Sequence, residues 1–209
     1  MRAILAAALC VALSACAGDT ETVSLGNGHS INVGPTRAIS SMNAFAMPQM
    51  SGEIRTTGRA INDIGAYQRL KQSNPDLFAP RAGVNVSLET TDSINRRIND
   101  MISFEDDGGG KETWRALPSG GYGDCDDYAV TKLYHMISAG VPRSAMRLTV
   151  ATSKQTGQWH LMLAVDVPGR GTFFMDNNNE HLLNASEARD LYTLWFMENT
   201  ATLKMELVA

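Results

Sequence analysis

The stretch GYGDCDDYAV, residues 121–130, places a cysteine, Cys125, among three aspartates directly after two glycines. Glycine permits a tight turn, and Asp124 is of a residue type that caps helix N-termini. Beyond it, apolar residues recur with the period of one helix face: Val130, Leu133, Tyr134 and Ile137. Gly140 and Pro142 then end the pattern. The sequence therefore predicts a helix whose first turn contains Cys125.

The surroundings of Cys125 decide whether its sulfur is reactive. Nearby carboxylates disfavour a thiolate, but the amides and the positive dipole end of a helix N-terminus stabilise one. Asp127 follows Asp124 by three residues, as in a capping box, so part of the acidic cluster is expected to serve the helix. A second interpretation is that Cys125 is a buried, inert apolar residue.

Composition limits the classes of protein to consider. The 209 residues, 44% of them hydrophobic, suit one globular domain of ordinary size with some appended sequence. The formal net charge is −4, and the sequence has no basic stripe and no basic patch interleaved with aromatic residues. Binding of a polyanion needs such a patch, so we expect no nucleic acid partner.

The amino terminus predicts export. Arg2 precedes an apolar run over residues 3–13, which is shorter than the roughly 20 residues that span a bilayer. Residues 13–16, Leu-Ser-Ala-Cys, resemble a bacterial lipobox, which implies cleavage before Cys16 and a membrane anchor through lipid on that cysteine. The alternative is an ordinary signal peptide cut nearby. Because Ala17, and not aspartate, follows Cys16, we expect an outer-membrane lipoprotein that faces the periplasm.

Three segments follow from this interpretation: a lipoprotein signal peptide at residues 1–15, a flexible tether at 16–55 and a domain at 56–209. The tether is rich in Gly, Ser, Thr and Asn and lacks a sustained helical period. Processing would remove Cys10 and modify Cys16, which leaves Cys125 as the cysteine of the domain.

Within the domain, helical and alternating apolar patterns succeed one another. Helical periods run over residues 61–78 and 88–104, ahead of the cysteine helix. After that helix the apolar residues alternate, which predicts strands at 146–150, 159–167, 172–176, 191–199 and 202–208. Helices followed by antiparallel strands predict an α+β fold.

Three residues follow one another along the chain in the same order as the catalytic residues of a known class of enzymes. Cys125 at a helix start, His160 on the next long strand and Asp176 on the strand after it resemble the transglutaminase-like branch of the papain-like cysteine enzymes. More narrowly, the chain resembles the bacterial transglutaminase-like cysteine proteinases, which are LapG-like periplasmic proteases. The motifs that carry this are W-x-x-x-P at 114–118, GDCDDYA at 123–129, GVP at 140–142 and MDN at 175–177. The resemblance implies a papain-like fold, with the cysteine helix packed on an antiparallel sheet.

The resemblance also implies acyl-transfer chemistry at these residues. Cys125 is expected to be the nucleophile, His160 the general base, and Asp176 the acid that orients His160. Asn177 and Asp166 are the alternatives to Asp176. The expected reaction is thiolate attack on a peptide carbonyl, protonation of the leaving amine by His160 and hydrolysis of the thioester, with the Cys125 backbone amide as oxyanion donor.

The pairing of two predicted strands is a condition for this triad. For Asp176 to orient His160, their strands must pair antiparallel with these residues nearly opposite each other. The midpoint between them in the sequence is Pro168, which predicts a tight turn centred there. A turn centred on Gly169 and Arg170 would instead separate the two residues by four positions of strand.

The acidic cluster has two interpretations of its own. Asp124, Asp126 and Asp127 could be a helix cap with solvated surface carboxylates, or hard oxygen ligands of Ca²⁺. LapG-like relatives have a calcium site at this place, so the resemblance implies Ca²⁺ as a cofactor held by these three residues. A bound cation would also cancel the negative field around Cys125.

The function that the resemblance implies is that of a periplasmic cysteine endopeptidase. Its expected partners are a protein substrate, by family analogy a large surface adhesin, and an inner-membrane regulatory receptor. One alternative is a non-catalytic lipoprotein that uses the transglutaminase-like fold as a binding module. Another is an acyltransferase or transglutaminase with the same triad. An intact set of Cys125, His160 and Asp176 favours an enzyme.

Overall fold

The computed structural model describes residues 21–25, 29–33, 52–61, 64–83, 86–108 and 112–209. The predicted signal peptide, Cys16 with its predicted lipid and most of the predicted tether lie outside the described residues. Within those ranges, no helix has the length and apolar character that a bilayer crossing requires.

The described residues form helices and strands throughout the predicted domain. The α-helices are α1 (Gly65–Ser73), α2 (Leu88–Met101), α3 (Cys125–Ser138) and α4 (Ala185–Leu191). The strands are β1 (Glu21–Leu25), β2 (His29–Val33), β3 (Thr56–Ala60), β4 (Ile102–Phe104), β5 (Gly121–Gly123), β6 (Met146–Ser153), β7 (Trp159–Val167), β8 (Gly171–Met175), β9 (Leu183–Asn184), β10 (Tyr192–Asn199) and β11 (Lys204–Val208). Short 3-10 helices cover Pro75–Leu77 and Arg143–Ala145.

Seven strands form the main sheet, in the order β3-β11-β10-β6-β7-β8-β9. All neighbours in it are antiparallel. A short parallel pair, β4 with β5, leads into α3, and β1 and β2 form a hairpin inside the segment predicted as a tether. The predicted α+β fold, with the cysteine helix packed on an antiparallel sheet, is confirmed, whereas the flexibility of the tether and the segment boundaries stay predictions.

Strand β7 is buried on both of its faces. Leu161, Leu163 and Val165 belong to the core that the sheet shares with α1, α2 and α3. Met162 and Ala164 belong to a second core on the opposite face, with residues of α4. A strand that is covered on both faces has a near-continuous apolar sequence, as β7 does.

Some boundaries differ from those predicted. Helix α1 begins at Gly65 and not at residue 61, and α2 ends at Met101 because residues 102–104 form β4 beside β5. The prediction has no counterpart for β3 or α4. A local signal for α4 does exist, since Asn184 and Glu187 form a full capping box at its N-terminus.

Candidate active site

Cys125 is the first residue of α3, as the sequence predicts. Asp124 caps the helix, and its side chain accepts a hydrogen bond from the Asp126 amide at 3.4 Å. Gly123 is required just before the cap, because a Cβ there would lie 2.4 Å from Oδ2 of Asp127. The side chain of Cys125 is almost entirely buried.

The predicted capping box at this helix is wrong, because the Asp124 side chain accepts from the Asp126 amide and not from that of Asp127. The Asp127 carboxylate does not turn back to the cap; it accepts hydrogen bonds from the Arg115 amide and from Arg115 Nε, each at 3.1 Å. Burial raises the pKa of Asp127 to about 7, while the Arg115 charge opposes that rise. Asp127 therefore ties the segment before β5 to α3.

Helix α3 packs on β7, the strand that carries His160. Residues 139–145 connect α3 to β6, whose first residue, Met146, pairs with Val165 of β7. Cys125 and His160 therefore belong to two elements that contact each other; their meeting in one site stays a prediction.

His160 and Asp176 form a buried hydrogen-bonded pair. Nε2 of His160 lies 2.7 Å from Oδ1 of Asp176, and both side chains are almost fully excluded from solvent. Three further donors hold the Asp176 carboxylate: Tyr192 Oη at 2.7 Å, Asn179 Nδ2 at 2.5 Å and the Asn178 amide at 3.1 Å. The carboxylate is therefore fixed in both position and orientation.

The turn prediction for these strands is wrong, although the contact forms. β7 and β8 pair Val167 with Gly171 and Leu163 with Met175, so the turn is centred on Gly169 and not on Pro168. Asp176 follows the last residue of β8 and is aligned with Met162 if the register is extended. His160 is then its diagonal neighbour on the same sheet face, a distance that His and Asp side chains can bridge.

The electrostatics of Asp176 follow from this arrangement. Burial by itself raises the pKa of a carboxyl group, but the His160 ring and the hydrogen bonds from Tyr192 and Asn178 outweigh burial and hold the Asp176 pKa below its ordinary value. Tyr192 also stacks on the His160 ring, with centroids 5.0 Å apart and planes 6° apart. Burial, with the Asp176 charge, raises the Tyr192 pKa above its ordinary range, so its hydroxyl stays a donor.

The side chains of the two alternatives to Asp176 contact other groups. Asp166 binds Arg147 at 2.5 Å and accepts from the Thr172 hydroxyl at 2.7 Å. Asn177 donates to the Asn178 side chain at 3.5 Å. The residue that meets His160 is therefore Asp176; its catalytic role stays a prediction.

A second cluster lies directly at Cys125. Asp124, Cys125 and Asp126 each offer one ligand atom, and these atoms lie within 4.8 Å of one another. Neither carboxylate oxygen of Asp126 accepts a hydrogen bond from a described residue, although the side chain is buried. Burial, with the nearby carboxyl groups of Asp124 and Glu112, raises the Asp126 pKa to about 11. The cluster thus carries excess negative charge unless it binds a proton or a cation.

Several residues of this site are not evident from the sequence pattern. Tyr192 looks like an ordinary strand residue, and Arg115 lies in an irregular segment. Glu112 offers no spacing signal relative to Asp126. Trp114, part of the W-x-x-x-P motif, is buried and packs on Tyr67 with ring centroids 6.3 Å apart, away from the exposed surface.

Comparison with known proteins gives one family match and several structural neighbours. The model of the family described as bacterial transglutaminase-like cysteine proteinase, BTLCP, matches residues 75–203, more than half of the chain. Calcium-bound LapG of Legionella pneumophila is 22% identical over 66% of this chain and 78% of that one, with a TM-score of 0.47. EGTA-treated LapG of the same organism is 21% identical over 70% of this chain and 91% of that one, with a TM-score of 0.46. No curated protein matches the chain.

Proposed function

We propose, because this chain belongs to the bacterial transglutaminase-like cysteine proteinases, that it hydrolyses peptide bonds with a Cys125, His160 and Asp176 triad. The observation that carries the proposal is the buried 2.7 Å hydrogen bond between His160, on the strand that packs against α3, and Asp176, directly after β8. A nucleophile, a base and an orienting acid are the groups that covalent acyl transfer requires.

The hydrogen bond to Asp176 assigns the two ring nitrogens of His160. Nε2 carries the hydrogen that Asp176 accepts, so Nδ1 is the nitrogen that takes the proton from the Cys125 sulfur. The resulting imidazolium is stabilised by the Asp176 anion, and the thiolate by the N-terminal end of α3. This ion pair allows a thiolate to exist beside three aspartates.

Two half-reactions follow from this ion pair. The thiolate attacks the carbonyl carbon of the scissile peptide bond, and the Cys125 amide in the first turn of α3 donates to the oxyanion. His160 gives its proton to the leaving nitrogen as the C–N bond breaks, which leaves a thioester on Cys125. His160 then takes a proton from water, the hydroxide attacks the thioester, and the thiolate is regenerated.

The acidic cluster fits a calcium ion in its donor chemistry. Asp126 presents two buried oxygens with no hydrogen-bond donor among the described residues, and an Asp124 oxygen lies close by. Oxygen ligands of this kind suit Ca²⁺, which would neutralise the negative field next to the thiolate. We propose Asp124 and Asp126 as its ligands. The part of Asp127 stays a prediction, because its carboxylate already binds Arg115.

A polypeptide substrate is supported by two exposed aromatic side chains. Trp159, which precedes His160, and Trp195 are 56% and 42% exposed, and their ring centroids lie 6.5 Å apart. The Trp195 indole donates to the Thr152 hydroxyl at 2.9 Å, which holds the ring in place. Rigid exposed aromatic groups are typical anchors for polypeptides.

We propose further that the enzyme is an outer-membrane lipoprotein that faces the periplasm and trims a large surface adhesin under control of an inner-membrane receptor. Family membership supports a protein substrate, whereas the adhesin and the receptor are proposed from the resemblance of the sequence motifs. The lipobox-like segment that ends at Cys16 supports the location.

The test is a comparison of new protein N-termini in surface-protein extracts treated with the wild type, Cys125→Ala or His160→Gln. We expect discrete new termini with the wild type and none with either variant. His135→Gln is the matched control and should retain the wild-type pattern, because His135 lies in the last turn of α3, ten residues from Cys125, beside Arg97. If Cys125→Ala yields the same termini as the wild type, the protease assignment is wrong. Capture of one surface protein by all four proteins without cleavage would identify a binding module.

A further inference from the structure

Trp159 and Trp195 lie on one face of the sheet together with Thr152. Thr152 of β6 is opposite Trp159 of β7 in the strand register, so their side chains point to the same face. The Trp195 indole, on β10, donates to the Thr152 hydroxyl at 2.9 Å and therefore reaches that face as well. The three side chains form a row across three neighbouring strands, which we call the tryptophan row.

The tryptophan row lies on the side of the sheet that α3 covers. Side chains alternate along a strand, so Trp159 shares its face with Leu161 and Leu163. Those two residues belong to the same buried core as Cys125. Trp159 also directly precedes His160 along β7. The row is thus on the Cys125 side of the sheet, at the end of β7 that carries the proposed base.

A β-bulge sets the direction of Trp195. β10 pairs Leu194 and Phe196 with consecutive residues of β6, so Trp195 is an extra residue with no opposite partner on β6. Bulges re-aim a side chain and are common beside active sites. Together with the bond to Thr152, the bulge holds a large apolar ring where much of it is exposed. Because a fold gains stability by burying apolar surface, core packing does not explain this placement.

The two indoles offer different chemistry to a ligand. Their rings are tilted by 52° with centroids 6.5 Å apart, so they form an open notch and not a parallel stack. The Trp195 N–H is already bound to Thr152. The Trp159 N–H has no acceptor among the described residues, and its side chain is exposed. The notch thus presents apolar ring faces and one available donor.

We propose that the tryptophan row is a specificity subsite that binds a proline of the substrate, in a segment of polyproline II conformation. The inference deepens the proposed function and rests on it, because the bound segment belongs to the polypeptide that is cleaved. The proline ring lies in the notch, and a main-chain carbonyl of the same segment accepts from the Trp159 N–H. Trp159 and Trp195 are specificity-determining residues and take no part in bond breaking.

Three properties of the notch favour proline over other apolar residues. The notch is shallow, because both rings are about half exposed; it suits a compact ring that packs on an indole face, whereas a large apolar side chain gains most from full burial. Its donor matches the carbonyl groups of a polyproline II segment, which have no internal hydrogen bonds. Such a segment is extended before it binds, so little affinity is lost to ordering. Aromatic-lined grooves are the usual receptors of proline-rich segments for these reasons.

Indole N–H resonances give a direct test that needs no cleavage. The chain has three tryptophans, so ¹⁵N-tryptophan-labelled Cys125→Ala gives three indole signals, which Trp159→Phe and Trp195→Phe assign. The probes are the capped peptide Ala-Pro-Pro-Ala-Pro-Lys and its counterpart with each proline replaced by alanine. We expect the proline peptide to bind with a Kd about 5-fold or more below that of the alanine peptide, and to move the Trp159 and Trp195 signals. The signal of Trp114, which is buried, is the internal control and should not move.

Several outcomes of this titration would overturn the proposal. Equal affinities for the two peptides would do so, and so would a Trp159 signal that does not respond to the proline peptide. Tighter binding of a leucine counterpart would identify a general apolar site. Movement of both indole signals by an N-acetylglucosamine oligomer, without a response to the proline peptide, would identify a carbohydrate site.

A second test compares the sites at which proteins in surface extracts are cleaved. Trp195→Ala should lower kcat/KM by about 10-fold at sites with a nearby proline and leave other sites nearly unchanged. Thr152→Val, which frees the Trp195 ring without removing it, should show a smaller loss of the same kind. Tyr134→Ala, which removes a partly exposed aromatic group from α3, is the control. Cleavage at sites unrelated to proline would refute the subsite but not the protease function. Binding of the proline peptide by a wild type that cleaves nothing would refute the protease function while the subsite stands.

Discussion

Tyr192 and His160 lie ring against ring, with centroids 5.0 Å apart and planes 6° apart, and the Tyr192 hydroxyl donates to Asp176 at 2.7 Å. One side chain therefore contacts both members of the proposed base and acid pair. The ring of Tyr192 stacks on the His160 ring and orients it, and the Tyr192 hydroxyl orients the Asp176 carboxylate.

Substitution of Tyr192 can separate these two contributions. Tyr192→Phe keeps the stacked ring and removes one hydrogen bond, so we expect kcat to fall by about 5- to 10-fold. Tyr192→Leu removes both contacts and should cost more. The measurement is kcat on a cleaved substrate, with Tyr134→Phe, on the exposed face of α3, as control. Equal losses in the two Tyr192 variants would show that the ring contact does not contribute.

Two aspartates on neighbouring segments allow a matched test of the triad. Asp176→Asn should lower kcat by about 100-fold or more, because the amide can no longer hold His160 in the required tautomer or stabilise its charge. Asp166→Asn, which disturbs a partly exposed pair with Arg147, should leave kcat nearly unchanged. The rate of Cys125 alkylation by iodoacetamide at pH 6 should change in parallel. Comparable losses in both variants would remove Asp176 from the triad.

Calcium should govern stability through Asp126. Its folded-state pKa is raised above the unfolded value, so the folded protein holds the extra proton and loses stability as pH rises from about 4. In chelator we therefore expect the Tm of the wild type to fall with rising pH and Ca²⁺ to restore it. Asp126→Asn, a neutral isostere, should melt higher than the wild type in chelator at pH 7 and lose most of its response to Ca²⁺.

Asp127→Asn is the companion of the Asp126 variant. If Asp127 serves mainly to bind Arg115, this variant loses stability but keeps its response to Ca²⁺. A calcium response equal to that of the wild type in both variants would show that the ion, if bound, is held elsewhere.

The exposed tryptophans should affect substrate binding more than chemistry. Trp159→Ala removes a side chain that is 56% exposed and makes its ring contact with Trp195. We therefore expect KM to rise by about 10-fold or more, with kcat changed by less than about 3-fold. Tyr122→Ala removes an aromatic side chain that is also exposed and is the control. A fall in kcat at unchanged KM would mean that Trp159 acts through the neighbouring His160.

The buried ion pair of Arg143 and Glu198 should contribute strongly to the free energy of unfolding. Arg143 Nη2 lies 2.6 Å from both Glu198 oxygens, and the Tyr67 hydroxyl donates to the same carboxylate at 2.7 Å. Glu198→Gln leaves a buried guanidinium without its counter-charge, so we expect a loss of about 3 to 5 kcal/mol in the free energy of unfolding. Urea denaturation measures it. Glu206→Gln should cost less, because the Glu206 carboxylate, although also buried, accepts from neutral donors, Thr56 and Asn199.

The local patterns of the sequence are sufficient for the presence and the first residue of α3 and for the limits of β7. Asp124 as cap, Cys125 in the first turn and the limits of β7 at Trp159 and Val167 agree with the structure. These features depend on contacts between residues two to four positions apart, which the spacing of apolar and capping residues records directly.

Tertiary structure alone decided the partners of these elements. The turn between β7 and β8 is centred on Gly169, yet His160 still meets Asp176, because a register shift of two residues preserves the sheet face. Asp127 binds Arg115 instead of closing the helix cap, and Tyr192 reaches the site from β10. Such contacts join residues that are 12 or more positions apart, so they depend on the path of the chain and the depth of burial. No local spacing encodes either of these.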